Sequence, residues 1–560
     1  MSDIKIIALG GVRENGKNLY IVEVEEEIYI LDCGLIYPEN ELLGIDVVIP
    51  DFSYLEENSD RIVGVFLTHG HADAIGALPY FLQKFSVPVF GTELTIALAK
   101  LFVEKDHISK GFDDYHIIDE NTEIEFGNSV VSFFKTTHTI PDSVGIAVKT
   151  AEGSIVYTGD FKFDQSAIPM YQTNFAKISS IGENNVLALL SDSEGAESTV
   201  ENASDLKIAG EVLDTFRNTE GRIIAACVAS NILRVQQVLN AAEKSKRKVF
   251  ITGKDLEEIV KTAMKLNKIE LPSDELIVPV KDIDNYPDNE IVVLETGNLG
   301  EPIQSLQKMA LGRHRQVNIK EGDLIYITTT TSTAMETTVA KTEDMIYRAG
   351  GTVKQISDNL KASGHGSQKD LQLMINLMKP TYFIPVKGQF RLLSAHAELA
   401  NEVGIPHKNI FIPGKGDVME YKDGRMRMAG QVEAGNTMID GIGIGDIGNI
   451  VLRDRKLLSE DGIFVAVVTI SRKQGKIISG PDVTTKGFVY VRANEDLIKE
   501  SNEIVRTVVE ENLSRKEFEW SRLKQEIREA LSKHLFEKTR RRPVILPIIM
   551  ESSYRNKKRK

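Results

Sequence analysis

The chain has 560 residues, 42% hydrophobic and 26% charged, an ordinary globular composition that excludes a collagen-like, coiled-coil or wholly disordered protein. Its length suggests three or four domains at roughly 150 residues each, and its longest apolar runs, 544–550 and 463–468, fall short of the ~18 residues of a membrane span. A net charge of −14, from 67 basic and 81 acidic residues, leaves any nucleic-acid binding to local basic grooves rather than a global field.

Short β-branched runs broken by Gly, Pro and Asp predict strands at 4–9, 19–24, 28–32, 61–67 and 155–158, with helices at 75–84 and 94–102. From about 205 to 360 strand and helix alternate: 222–229 with 232–244, 249–252 with 256–266, 291–295, then 324–328 with 334–349. Such alternation predicts a mainly parallel sheet with helical crossovers, forming a lobe of its own. A helix at 368–378, a strand at 382–386 and a hairpin at 418–428 return to the earlier style, so the lobe reads as an insertion. The Gly-rich stretch 435–448 breaks periodicity and reads as a linker plus the first strand of a last domain. That domain follows with strands at 463–470, 476–479 and 488–491, helices at 494–513 and 517–536, and a closing strand at 544–550. The basic runs 538–542 and 556–560 bracket that strand and read as a solvated tail or an RNA contact.

Two cysteines, Cys33 and Cys227, are too few for a disulfide framework and lack metal-ligand spacing. With no charged, apolar and small-residue succession in 1–9, a cytoplasmic location is expected. The segment Gly10-Gly11-Val12-Arg13-Glu14-Asn15-Gly16 follows a strand without a helix after it, which argues against a dinucleotide site.

The chemistry concentrates in Thr68-His69-Gly70-His71-Ala72-Asp73-Ala74, directly after the strand at 61–67. Two imidazoles and a carboxylate in five residues at a strand end can converge on one cation. His138 follows a strand at 129–134 and Asp160 follows one at 154–156, with the same placement. His69, His71, His138 and Asp160 offer three neutral nitrogens and one carboxylate, a set that suits zinc or manganese and not calcium. His107, His116, His314, His396, His407 and His534 lack paired donors and read as surface residues.

In this order the segments resemble the metallo-β-lactamase fold, with its signature His-x-His-x-Asp-His. The inserted lobe, preceded by Leu190-Ser191-Asp192 and followed by Ala362-Ser363-Gly364-His365-Gly366, resembles the β-CASP subgroup. Ala229-Ser230-Asn231, Gly297-Asn298-Leu299-Gly300-Glu301-Pro302, Ser479-Gly480-Pro481-Asp482 and Arg541-Arg542-Pro543-Val544-Ile545-Leu546-Pro547 resemble bacterial ribonuclease J. The resemblance implies an α/β fold: a metallo-β-lactamase αββα sandwich (1–204 and 363–434) with an inserted β-CASP parallel-sheet domain (205–362). A linker (435–460) and a C-terminal α+β domain (461–560) complete it. It also implies a two-metal 5′ to 3′ exoribonuclease with some endonuclease activity, working in rRNA maturation and mRNA turnover. The implied partners are RNA bearing a 5′ monophosphate and, as homodimer or hetero-oligomer, a ribonuclease J paralogue; no membrane is implied.

Two positions depart from the family pattern. Ala74 stands where the signature asks for His, and the family's Pro-Val-His-Gly-Glu is here Pro385-Val386-Lys387-Gly388-Gln389. Both missing imidazoles belong to the second metal, and an ammonium ~4 Å from a dication would cost roughly 8 kcal/mol at an effective dielectric of 20. At most one zinc or manganese ion per chain is therefore expected, with activity much reduced, a pattern similar to the family's second, degenerate paralogue. Lys387 either pairs with Asp73 or Asp160 in place of the ion or swings out to solvent.

By the same resemblance His365 is a proton donor to the leaving oxygen, with Asp73 and Asp192 also in the catalytic set. Asp192 reads equally as a turn cap. Lys361, Ala362, Ser363, Gly364 and His365, at the start of the helix at 368–378, form a phosphate loop, where free backbone N–H groups favour an anion. Ser230 and Asn231 read as a 5′-phosphate contact or a helix cap. The enzyme reading has a rival of another class, a non-catalytic RNA-binding or structural subunit of an active paralogue. Hydrolysis of a lactam or thioester is disfavoured, because the inserted lobe has no use in it.

Overall fold

The computed structural model describes residues 3–38, 42–296, 302–328, 336–356, 360–441, 443–445, 447–490 and 494–552. The motif residues 297–301 and the basic run 556–560 lie outside them, as does the start of the helix expected at 334–349. Two compact units result, one of Met1–Tyr37 with Val47–Thr437, the other of Pro38–Asp46 with Met438–Lys560.

In the first unit two sheets pack face to face. One runs Arg425–Gln431, Asp417–Lys422, Ile4–Ala8, Tyr20–Val24, Glu27–Leu31, Ile62–Phe66, Val89–Gly91, Tyr115–Ile117 in spatial order. The other runs Tyr382–Val386, Val186–Asp192, Gly153–Tyr157, Val144–Thr150, Ser129–Lys135, Glu123–Phe126. Alternate residues of each strand share a face, so Ile6, Tyr20, Leu31 and Phe66 of the first sheet meet Phe133, Ile146, Tyr157 and Leu190 of the second in one buried core. The outer face of the second sheet, including Phe134, Val156 and Phe383, buries against Leu371, Met374 and Met378 of the helix Gln368–Met378. Helix Glu93–Lys105 packs on strands of the first sheet, completing an αββα sandwich.

The third sheet is parallel throughout, in the order Lys248–Thr252, Ile291–Glu295, Ile223–Ala226, Leu324–Ile327, Thr352–Gln355. It lies between Val186–Asp192 and Tyr382–Val386 in sequence, yet those two strands are adjacent and parallel in the sandwich, with Asp192 opposite Val386. The insertion thus leaves the sandwich closed and sets Asp192 beside the Lys387 turn.

Two local expectations are corrected, and the linker segment carries more secondary structure than the one strand expected. The helix expected at 75–84 is broken into Ala72–Ile75 and Leu78–Leu82, with Gly76 closing the first and Pro79 inside the first turn of the second. The first piece begins inside the histidine motif and puts Asp73 and Ala74 on a helical turn. No strand forms over 488–490; Phe488 instead turns inward, its ring 6.1 Å from that of Phe464, and Val491 lies outside the described residues. The linker segment contains a hairpin, Asn436–Asp440 with Gly443–Ile444, and the helix Asn449–Asp461. Ile450, Val451, Leu457 and Leu458 share one face of that helix, a spacing of one and seven residues that the linker expectation passes over.

In the second unit the strand Ile463–Ser471 is central, antiparallel to Lys476–Lys486 and parallel to Val544–Glu551. Its Phe464, Ala466, Val468 and Ile470 pack on Val505 and Val509 of one helix and Leu523, Ile527 and Leu531 of another.

Candidate metal centre

The strand Ile62–Phe66 ends in the loop that carries His69 and His71. His138 and Asp160 follow Ser129–Lys135 and Gly153–Tyr157, which flank Val144–Thr150, and a backbone bridge between Thr137 and Lys162 draws the two loops together. One donor atom from each of His69, His71, His138 and Asp160 lies within 4.8 Å of the others.

The neighbours fix which ring nitrogens carry protons. Asp32 accepts from the Thr68 amide (2.8 Å), and the Thr68 hydroxyl lies between Asp32 and His69 Nδ1, 2.8 Å from the latter. His71 Nε2 donates to Ser230 O at 3.3 Å, and His138 Nδ1 to Gly364 O at 2.9 Å. Each proton is thus drawn to the far side of its ring. His71 Nδ1 and His138 Nε2 face one another at 3.1 Å as two lone pairs, and the buried His69 Nε2 and Asp160 Oδ1 have no hydrogen-bond partner among the described residues. Burial also pushes His69 down to about 4, His71 to about 3 and His138 well below the usual histidine range, so all three rings are neutral near pH 7. The Asp160 oxygen nearest them is Oδ2, 3.4 Å from His69 Nε2 and 3.6 Å from His138 Nε2, and neutral imidazoles converging beside a carboxylate fit a zinc- or manganese-type cation.

Lys387 fills the place beside it. Only 3% of its side chain is exposed; Nζ is 2.6 Å from Asp73 Oδ2 and in contact with Asp160 Oδ2. The reading in which it swings to solvent is therefore excluded, and it pairs with both carboxylates. Burial works against the ammonium, but Asp160 and Asp73 outweigh it and hold Lys387 well above its usual range. Burial likewise opposes both carboxylates, and the ammonium outweighs it to hold them well below theirs. Asn18 Nδ2 gives Asp73 Oδ2 another donor at 3.1 Å. The Gly-rich loop at 10–16 buttresses the turn, since Gly11 O accepts from Lys387 N at 2.6 Å and Glu14 O from Gly388 N at 3.0 Å. These bonds hold Lys387 in left-handed backbone, φ 55. Ala74 is fully buried.

His365 stands between two carboxylates, its Nδ1 2.7 Å from Asp192 Oδ2 and its Nε2 3.1 Å from Glu194 Oε2. Burial disfavours the imidazolium, yet Glu194 and Asp192 raise it to about 10, so the ring is protonated near neutral pH. Asp192 also caps its turn, its Oδ1 accepting from Glu194 N at 3.0 Å. Glu194 is a partner of His365 that the sequence pattern does not single out; its only signal is the spacing of two acids around Ser193, which reads as surface charge until the turn is seen.

The phosphate loop is less free than its glycines suggest. Ser367 N and Gln368 N, at the helix start, are taken by Asp370 Oδ2 and Ser198 O, and His365 N by Ser363 Oγ. Lys361 Nζ is engaged by Ser198 and Val200, and Ala362 beside it is half-buried. A Cβ on Gly364 would come within 2.7 Å of Thr139 and 2.8 Å of His138, so this glycine admits the His138 ring. Asn231 caps its helix through Arg234 N at 2.9 Å, and Ser230 touches the centre by its carbonyl. Of the histidines expected at the surface, His396 is fully buried, with Nδ1 3.0 Å from Ser193 Oγ. His314 and His534 are half-buried.

Four family matches cover the chain: the metallo-beta-lactamase superfamily over 12–209, the ribonuclease J beta-CASP domain over 220–346, the Zn-dependent metallo-hydrolase RNA specificity domain over 353–413, and the ribonuclease J C-terminal domain over 450–552. Ribonuclease J 2 of Streptococcus pyogenes is 54% identical over 98% of this chain and 100% of its own. Ribonuclease J 2 of Staphylococcus aureus is 48% identical over 98% of each. The chain belongs to the bacterial ribonuclease J family. In this ribonuclease J family member the superfamily match carries His69, His71, His138, Asp160 and Asp192, whereas His365 and Lys387 fall in the RNA specificity match. A solved structure from Enterococcus faecalis, a protein of unknown function, aligns with TM-score 0.53 at 15% identity, covering 75% of this chain and 100% of its own. That likeness extends to the fold alone. Among the described residues no helix is long and apolar enough to cross a membrane.

Proposed function

We propose that this ribonuclease J-type, metal-dependent RNA-processing protein is a slow 5′ to 3′ exoribonuclease, with some endonuclease activity, built around one cation and an ammonium. RNA with a 5′ monophosphate is its preferred substrate, in rRNA maturation and mRNA turnover in the cytoplasm. The observation that carries the reading is Lys387 buried between Asp73 and Asp160 beside a donor set of His69, His71, His138 and Asp160. A zinc or manganese ion held by those four would supply Lewis acidity at the phosphate. Lys387 supplies the second positive charge but no open coordination position, which is why turnover is slow. His365 Nε2 carries the proton for the leaving oxygen, with Glu194, 34% exposed, yielding its place to that oxygen while Asp192 keeps the ring oriented. The domain division proposed is a sandwich at 1–204 and 363–434, the insertion at 205–362, a linker at 435–460 and the last domain at 461–560.

A second reading is favoured by the same ammonium, since a site stabilised without a second ion can persist without turnover: a structural or RNA-binding subunit of an active paralogue. The deciding experiment is a nuclease assay of protein purified away from every paralogue, on 5′-monophosphorylated RNA with and without manganese. Slow loss from the 5′ end, needing manganese and falling at least tenfold in His365→Gln, supports the enzyme. RNA binding with no turnover supports the subunit, and turnover without added or bound metal removes the one-cation reading.

A further inference from the structure

Three segments that build the candidate centre also meet at its rim. The loop at 10–16 supports Lys387, the turn at 387–389 carries it, and the segment at 192–197 supplies Asp192 and Glu194 to His365. Phe390 follows that turn directly and is 54% exposed. The Arg13 guanidinium lies over its ring, 5.4 Å from the centroid, and Arg13 is itself exposed, in left-handed backbone at φ 57. Among the described residues no carboxylate pairs with Arg13. The next residue, Arg391, is held by Glu197 and by Gln389 Oε1 at 3.2 Å, which ties the helix start at Phe390 to the Asp192–Glu194 segment.

An exposed ring costs solvation and gives the core nothing, and an unpaired cation above it adds charge without an ion pair. Together they offer a flat π-face and a guanidinium plane, the two surfaces on which single-stranded bases stack. In a chain of net charge −14, such a local contact substitutes for long-range attraction to RNA. We infer that Phe390 and Arg13 form a nucleobase-stacking platform at the rim of the centre, which holds one base of single-stranded RNA and sets its register relative to His365. The inference rests on the proposed action on RNA. It adds a specificity element that reads a base's face rather than a phosphate.

The test is a fluorescence-anisotropy titration of the full chain with a 5′-monophosphorylated phosphorothioate oligoribonucleotide, in manganese, so that binding is read without cleavage. Phe390→Ala is expected to weaken binding by roughly tenfold, the loss typical of removing one stacking ring, while Phe390→Trp keeps or tightens it. An abasic scan along the oligoribonucleotide should find one position where the missing base weakens the parent protein but leaves Phe390→Ala unaffected. Equal affinity of parent and Phe390→Ala overturns the platform and leaves the RNA reading standing, as does a loss in Phe390→Ala that is the same on every abasic strand. A folded parent that binds no RNA overturns both.

Discussion

Lys387 Nζ lies 2.6 Å from Asp73 Oδ2 although 314 positions separate them in the chain, and with Asp160 they form a buried cluster of one cation and two anions. The ammonium arrives on a left-handed turn held by backbone bonds to Gly11 and Glu14. Its position is therefore set by the scaffold and not by the flexibility of a lysine stem.

Lys387→Met should show what that ammonium contributes. Removing one partner of a buried ion pair typically costs about 3–5 kcal/mol, because the remaining charges are left uncompensated. In chelator, urea titration should report a loss of that order. Manganese should recover more of it in the variant than in the parent, since two carboxylates then face the cavity without a cation. A variant as stable as the parent in chelator would show that the cluster is not structural.

Elemental analysis after metal loading should find at most one tightly bound transition-metal ion per chain, and His69→Ala should lose it. Two tight ions in the parent would refute the single site. Ala74→His combined with Lys387→His and Gln389→Glu should bind a second ion and raise nuclease activity tenfold or more, a modest gain beside what a metal can supply. Ala74→His alone should change little, because the ammonium still repels a dication. If the triple variant holds two ions and stays slow, something other than the missing ligands limits turnover.

Gly364→Val tests the loop. Its new Cβ would press on His138 Cε1 and Thr139, so the variant should lose metal affinity by at least tenfold, measured by competition with a chromogenic chelator. Unchanged metal affinity with weakened RNA binding would instead return this glycine to a phosphate-approach role.

His396 gives a pH dependence. Burial drops it to about 3, against an unfolded value near 6.5. A histidine depressed in this way stabilises the fold fully above pH 6.5, and that stability is lost as pH falls from 6.5 toward 3. The slope for this one group is roughly 1.4 kcal/mol per pH unit. His396→Leu should remove this slope, and urea midpoints of parent and variant at pH 7 and pH 5 measure it. Parallel changes in the two proteins would place the acid sensitivity elsewhere.

The residue pattern makes legible most of the strands, the parallel inserted sheet and the four candidate ligands, because each depends on local pattern: β-branched runs, alternation of strand with helix, and His or Asp placed just past a strand end. It also determined that Ala74 and Lys387 break the family's second-metal pattern. Where the Lys387 ammonium goes is settled by packing, since that depends on a strand and a loop that adjoin it from hundreds of residues away. The same holds for Glu194 at His365, for the cap formed by Asn231, and for the N–H groups already engaged at the phosphate loop. Sequence names the residue types able to make each contact, but a hydrogen bond has one partner at a time, and only packing selects it. His396 is the converse case: Leu392, Leu393, Leu399 and Ala400, three and four positions away, place it on the apolar face of its helix, and its ring packs 4.8 Å from that of Phe383 in the strand Tyr382–Val386.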